Sequence, residues 1–190
     1  MPVWGLVEGF FWLTYPFSNS LIPFLMFSKI DSLEGLLEVK LQGLYDAEKQ
    51  LTKALPKMAA KATDARLKMG LEKHLSETEN HIARLEQVAK SLDMNLNGPD
   101  CKAMEGLIEE GQQLMAMRAS DEVLDAAIIS AAQGVEHFEI AQYGTVVHFA
   151  KRLGYLEEAE ILAATLAEEK NTDEILNQLA ISSVDEKALS

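Results

Sequence analysis

Polar side chains interrupt the apolar stripes of the four long predicted helices at about the same depth in each, and in three of the helices they are acidic. Apolar residues that recur every three or four positions mark the core-facing stripe of a helix, so a polar residue on that stripe points into the core. Glu48 interrupts the first long helix, Glu136 and Glu139 the third, and Glu169 and Asp173 the fourth. A buried ionised carboxylate is costly unless it is paired or bound to a cation. No Lys or Arg shares these stripe positions, so these carboxylates either share protons or bind cations.

The predicted apolar stripe of the second long helix runs through Leu71, Leu75, Ile82 and Leu85. Thr78 interrupts this stripe, and two histidines, His74 and His81, flank Thr78 on the same face. Carboxylate oxygens together with imidazole nitrogens suit iron or manganese. Helical bundles with inward-facing glutamates and Glu-x-x-His pairs build dinuclear iron and manganese sites in this way. The four stripe glutamates, Glu48, Glu136, Glu139 and Glu169, are therefore candidate metal ligands.

Each of these residues also has a simpler structural interpretation. A single glutamate on a stripe often sets helix register or extends its carboxylate to solvent. A single histidine there is commonly a core residue with its hydrogen bonds satisfied, and Tyr143 fits a core position with a bonded hydroxyl. The four glutamates taken together favour a metal site over these interpretations.

Four long helices must position these residues. The pattern predicts them at about residues 32–62, 63–93, 120–153 and 156–180, with a short helix over 100–117. The links between the first two and the last two are tight, whereas the connection between the second and third is long and contains the turn-forming run 95–99. A long crossover at this place is the ferritin-like arrangement. The predicted fold is an all-α, ferritin-like four-helix bundle with a short extra helix on the crossover.

Composition limits the class of protein. The chain has 190 residues and a formal net charge of -13, which repels phosphate backbones and argues against nucleic-acid binding. Its single cysteine, Cys101, excludes a disulfide framework and a thiolate metal site. We therefore expect a cytoplasmic protein.

The first 28 residues differ from the rest, because residues 9–28 carry no charge and are rich in aromatic and aliphatic side chains. Three interpretations compete: a loose membrane anchor, a flap over the domain's own apolar surface, or an extension upstream of the natural start. The third is favoured, since Met26 directly precedes the amphipathic pattern. The predicted organisation is an apolar extension over 1–28, the bundle over 29–180 and a polar tail over 181–190.

Three segments carry a family resemblance. Residues 44–51 (LYDAEKQL), 103–110 (AMEGLIEE) and 135–145 (VEHFEIAQYGT) resemble the YciE/YciF-like proteins, which are bacterial, stress-associated members of the ferritin-like superfamily. The resemblance covers about residues 29–180. It implies a ferritin-like fold, a role in stress and a homodimer.

The superfamily also suggests how the ligands are shared among the helices. The rubrerythrin-like di-iron pattern has Glu-x-x-His on the second and fourth helices, where this chain has Thr78-x-x-His81 and Glu169-x-x-Thr172. The resemblance therefore adds His81 to the ligands, while one glutamate and one histidine are missing. Candidates that compensate or support the site lie beside the ligands: His74, Glu77, Thr78, Tyr143, Glu168 and Asp173.

Three functions compete at this point. The first is a redox metalloprotein with two Fe or Mn ions that acts on O₂ or peroxide, with no catalytic residue apart from the metal ligands. The second is a non-catalytic, dimeric stress protein whose metal site is structural or degenerate. The third is a metal store, for which nothing in the sequence specifies a cage.

Overall fold

The computed structural model describes residues 30–184 and 188–189, so the predicted extension over 1–28 lies outside the described residues. The five α-helices are α1 (Leu33–Lys61), α2 (Ala65–Ser91), α3 (Lys102–Ala116), α4 (Asp121–Leu153) and α5 (Leu156–Leu179). A π-helical turn, Ala180–Val184, follows α5, and Val184 at its end is buried. The predicted helix bounds agree with these to within about two residues.

Local sequence explains where the helices begin and end. The side chains of Ser32, Asp64 and Ser120 each accept a hydrogen bond from a backbone N–H in the first turn of α1, α2 and α4. Such caps satisfy donors that a helix start leaves unpaired. Gly154 ends α4 with a φ of 84°, a left-handed conformation that glycine adopts without steric cost. Pro56 lies inside α1, which continues through it.

The helices form two hairpins that pack face to face. α1 pairs with α2 and α4 pairs with α5, and the hairpins meet through α1 against α4 and α2 against α5. The crossover from α2 to α4 spans residues 92–120 and carries α3, which packs on the outside of α4 and α1. This is the ferritin-like four-helix bundle with a long second connection that the sequence predicts.

Hydrogen bonds to α1 hold the start of the crossover in place. The Gln42 side-chain amide donates to the Asn95 carbonyl at 2.8 Å, and the Cys101 backbone N–H donates to Asp46 Oδ2 at 2.6 Å. A Cβ added to Gly98 would lie 2.7 Å from Gln42 Cβ, so only glycine lets the two backbones approach this closely. α3 is thereby directed along α1 and α4.

The bundle interior has two apolar layers, one on each side of a polar layer. Leu37, Leu41 and Leu44 of α1 belong to one layer, and Leu51 and Leu55 belong to the other. Glu48 lies between these two sets and is fully buried. Each apolar layer excludes water from one end of the polar layer.

The buried stripe of α2 differs from the expected one. We expected Leu75 and Ile82 on the core stripe, but both are only half-buried, whereas His74, Thr78 and His81 are buried. The reason is geometric, because the alternating four- and three-residue steps that start at Leu67 and Leu71 lead through 74, 78 and 81. The centre of α2 therefore presents polar residues to the core.

None of the helices within residues 30–184 and 188–189 has the length and apolarity needed to cross a membrane.

Candidate metal centre

Six carboxylate and imidazole side chains from four helices meet in the polar layer. α1 supplies one, α2 two, α4 two and α5 one: Glu48, His74, His81, Glu136, Glu139 and Glu169. None of them is more than 2% exposed. They form two overlapping groups able to hold a metal ion, and in each group the ligand atoms lie within 4.8 Å of one another. His74, Glu136, Glu139 and Glu169 make one group, and Glu48, His81 and Glu169 make the other.

Glu169 belongs to both groups. Its Oε1 lies 3.0 Å from His81 Nδ1 and its Oε2 lies 3.9 Å from His74 Nε2. His81 Nδ1 is also 3.4 Å from Glu48 Oε1, and His74 Nε2 is 3.1 Å from Glu136 Oε1. The two oxygens of Glu169 therefore face the two histidines separately, so Glu169 could contribute a ligand atom to either group.

Most of the side-chain polar atoms in this layer have no hydrogen-bond partner. Within the described part of the chain, ten buried side-chain N or O atoms have no hydrogen-bond partner, and all belong to the six residues above or to Thr78. The contacts of the two histidines with the glutamates of this layer, at 3.0–3.9 Å, are ion-pair contacts and not aligned hydrogen bonds. Buried polar groups are normally satisfied, and an unsatisfied one costs about 1–3 kcal/mol. Their concentration in one layer fits a site built for cations.

The net charge of the six side chains is also compatible with a site for cations. With both imidazoles neutral, four ionised glutamates carry a charge of about −4, which two divalent cations would neutralise. The ligand inventory, four carboxylates and two imidazoles, equals that of the di-iron carboxylate bundles, although its distribution over the helices differs. Thr78 and Thr172 stand where the rubrerythrin-like pattern has Glu and His, while His74 supplies a second imidazole.

Without a cation, protons occupy some of the ligand atoms. Burial, with neighbouring carboxylates adding to it, raises the pKa of Glu136 and Glu139 well above the ordinary value. Burial also raises the pKa of Glu48, against the opposing effect of His81, and lowers the pKa of His74. For His81, burial is outweighed by the contacts with Glu169 and Glu48, which raise its pKa to about 10. Metal uptake must therefore release protons.

An outer carboxylate orients His81. His81 Nε2 lies 2.9 Å from Glu168 Oε2, and the Arg84 guanidinium bonds both oxygens of Glu168, at 2.5 and 2.9 Å. Arg84 holds the pKa of Glu168 down at about 2, so this carboxylate is ionised. A carboxylate that accepts from the outer nitrogen of a histidine fixes the ring and leaves the inner nitrogen for a metal. Arg84 lies one helical turn after His81 but is not among the residues predicted for the site.

Tyr143 orients the carboxylate of Glu48 in a similar way. Its hydroxyl donates a hydrogen bond to Glu48 Oε1 at 2.5 Å, and its ring packs against His81 with centroids 6.2 Å apart. Burial, with the nearby Glu48 charge, raises the pKa of Tyr143 well above the ordinary value, so the hydroxyl keeps its proton. Glu48 Oε2 has no partner and remains free for a cation.

The remaining predicted residues lie at different distances from the centre. Thr78 is buried among the ligands with its hydroxyl unpartnered, and Glu77 Oε2 stands 4.0 Å from His74 Nδ1. Asp173 is directed elsewhere, since its Oδ1 accepts from the Gln133 side-chain amide at 3.3 Å. The cause is register, because the buried positions of α5 pass through Thr172 rather than Asp173.

The fold and this centre define a ferritin-like helical bundle with a buried cluster of histidine and glutamate side chains that could hold metal ions. Comparison with known proteins then gives the family. The chain belongs to the family described as a domain of unknown function, DUF892, whose model matches residues 32–189. The resemblance to YciF-like proteins drawn from the three sequence segments is confirmed.

Two relatives, one of them compared both by sequence and by crystal structure, illustrate the likeness. The chain is 46% identical to Protein YciF of Escherichia coli strain K12 over 158 aligned residues. The alignment covers 83% of this chain and 95% of that protein. The crystal structure of the E. coli stress protein YciF matches with a TM-score of 0.80 and 43% identity, over 82% of this chain and 99% of that chain. YcfI of Rhodopseudomonas palustris, described as a candidate structural protein, matches with a TM-score of 0.77 and 45% identity, over 79% and 96%.

Proposed function

We propose that the protein is a dinuclear carboxylate metalloprotein of the stress response, which binds two Fe or Mn ions and acts on O₂ or peroxide. One observation carries the proposal: four glutamates and two histidines converge in a buried layer where ten polar atoms have no partner. Carboxylate and imidazole ligands favour iron and manganese over copper(I), and the cluster has no thiolate of the kind found in structural zinc sites.

The residues would divide between two ion positions. Glu48 and His81 would hold one ion, His74, Glu136 and Glu139 the other, and Glu169 would reach both. Ions that change oxidation state would supply electron exchange with O₂ or peroxide, a capacity that the side chains lack. Glu168 and Arg84 orient His81, Tyr143 orients Glu48, and the two apolar layers keep bulk water away.

Metal content is the first test. The protein is purified from cells grown with added iron and manganese, and the metal per chain is measured directly and again after anaerobic titration with Fe²⁺ or Mn²⁺. We expect close to two ions per chain. Trace metal after purification together with no uptake on titration would refute the metal site.

Redox activity is the second test. Peroxide and O₂ consumption by the parent loaded with Fe²⁺, whose oxidation to Fe³⁺ supplies the electrons, is compared with that of Glu139→Ala, which removes a ligand, and Glu79→Ala, which removes an exposed glutamate of α2. The parent and Glu79→Ala should consume the oxidant at equal rates, and Glu139→Ala should lose both its metal and the activity.

The second candidate function is that of a non-catalytic stress protein in which the bound ions have a structural role. The description of the related YcfI as a candidate structural protein favours it. Two bound ions without peroxide or O₂ consumption would support this alternative and would refute the redox role.

A further inference from the structure

The two histidines of the centre have unequal surroundings on their outer sides. Each directs one ring nitrogen towards the shared Glu169 and the other towards an outer carboxylate, Glu168 for His81 and Glu77 for His74. The His81 contact is 2.9 Å, but His74 Nδ1 lies 4.0 Å from Glu77 Oε2, which is too far for a hydrogen bond. His74 Nδ1 is therefore a buried nitrogen without a partner, on a side chain that is only 2% exposed.

This nitrogen faces a pocket between α2 and α5. Buried His74 and Glu136 line its inner end, while Gly70 and Glu77 line its wall together with Thr172 and Ile175. Glu77 retains 19% side-chain exposure and pairs with the exposed ammonium of Lys73. The pocket therefore joins solvent to one of the two proposed ion positions and has a carboxylate along the way.

We propose that this pocket is the loading route of the centre, and that Glu77 binds an incoming divalent cation transiently before it passes to His74 and Glu136. The inference rests on the proposed function. The cation replaces the Lys73 ammonium on Glu77, which is an exchange of one positive partner for another at a half-buried carboxylate. An ion beside His74 would therefore exchange with ions in solution. An ion beside His81 would be retained, because Glu168 and Arg84 cover that position from outside.

Gly70 allows the route to be closed without disturbing the ligands. A Cβ added there would meet nothing within 4 Å, so Gly70→Leu extends its side chain beside the pocket without a clash at Cβ. Gly43→Leu is a matched control, because Gly43 is also a half-buried helical glycine with open space at Cβ and does not line the pocket. Both changes replace a helical glycine by a residue of higher helix propensity.

The experiment follows Co²⁺ loading of the metal-free full chain by stopped-flow absorption, with the final Co²⁺ content measured separately. We expect Gly70→Leu and Glu77→Gln each to slow loading of one equivalent by at least about tenfold, the scale of electrostatic guidance into a cleft. The final content should remain that of the parent, and Gly43→Leu should load at the parent rate. If Gly70→Leu does not fold, Gly70→Ala takes its place and should give a smaller delay in the same phase.

The outcomes separate this inference from the proposed function. A parent that takes up no Co²⁺ and no Fe²⁺ overturns both. A parent that loads two equivalents, with Gly70→Leu and Glu77→Gln loading just as fast, overturns the route and leaves the metal centre standing. Equal delays in Gly70→Leu and Gly43→Leu would also overturn the route, because the delay would then not depend on the pocket.

Discussion

Replacing Glu139 by methionine should stabilise the metal-free protein and destabilise the metal-loaded one relative to the parent. Glu139 is fully buried, and neither of its carboxyl oxygens has a hydrogen-bond partner. Methionine has a similar volume and no oxygen to leave unsatisfied, so Glu139→Met removes a cost that only a cation offsets.

The magnitude follows from the same contacts. An unsatisfied buried polar group costs about 1–3 kcal/mol, so the metal-free variant should be about 2 kcal/mol more stable than the metal-free parent. In a domain of this size that corresponds to a rise in Tm of about 4–8 °C. With free metal at about 100 times Kd, the parent gains about 2.7 kcal/mol for each occupied position. A variant that loses one occupied position loses about 2.7 kcal/mol, which is more than its advantage of about 2 kcal/mol without metal, so the order of the two Tm values reverses.

The advantage of the variant should also depend on pH. Burial raises the pKa of Glu139 in the folded state, so between the ordinary glutamate pKa and the raised one the folded chain binds more protons than the unfolded chain. The metal-free parent therefore loses stability as pH rises through that window. Glu139→Met removes this dependence, and its advantage should be larger at pH 8 than at pH 6.

The assay is thermal unfolding of parent and variant after chelation and again with added Mn²⁺, at both pH values. Glu79→Met, on the exposed face of α2, is the control and should shift neither state by more than about 0.5 kcal/mol. A metal-free Glu139→Met protein that is less stable than the parent, yet gains as much from Mn²⁺, would refute the assignment of Glu139 as a ligand.

Four further outcomes are expected. Arg84→Met frees Glu168 and loosens His81, so metal affinity measured by titration calorimetry should fall about 10–100-fold; an unchanged Kd would show that the outer pair does not orient the ligand. Tyr143→Phe should destabilise the metal-free protein by about 2 kcal/mol in urea unfolding, because Glu48 loses its donor, and no loss would contradict that bond. A chain that starts at Met26 should keep its helicity and Tm, and its aggregation would show that the removed segment packs on the domain. Sedimentation equilibrium should give the mass of a homodimer rather than a monomer.

Much of this protein is determined locally by its sequence. Ser32, Ser120 and Gly154 mark helix ends through capping and left-handed backbone geometry that depend on neighbouring residues alone. The long gap between the second and third amphipathic patterns determines the ferritin-like connection. The apolar repeat likewise placed Glu48 and Glu139 on core-facing positions, since a carboxylate that interrupts a repeat is visible without coordinates.

Contacts between residues that are far apart in the sequence could be identified only from the tertiary structure. His74 stands beside Glu136 and Glu169 because α2 turns positions 74 and 81 into the core, where the sequence pattern placed 75 and 82. Asp173 is only half-buried and pairs with Gln133, because the buried positions of α5 pass through Thr172. The pairing of Arg84 with Glu168 joins residues 84 positions apart, and no periodicity in either helix encodes it. Helical periodicity shows which face of a helix is buried, whereas the depth and rotation of each helix against its neighbours decide which buried groups meet.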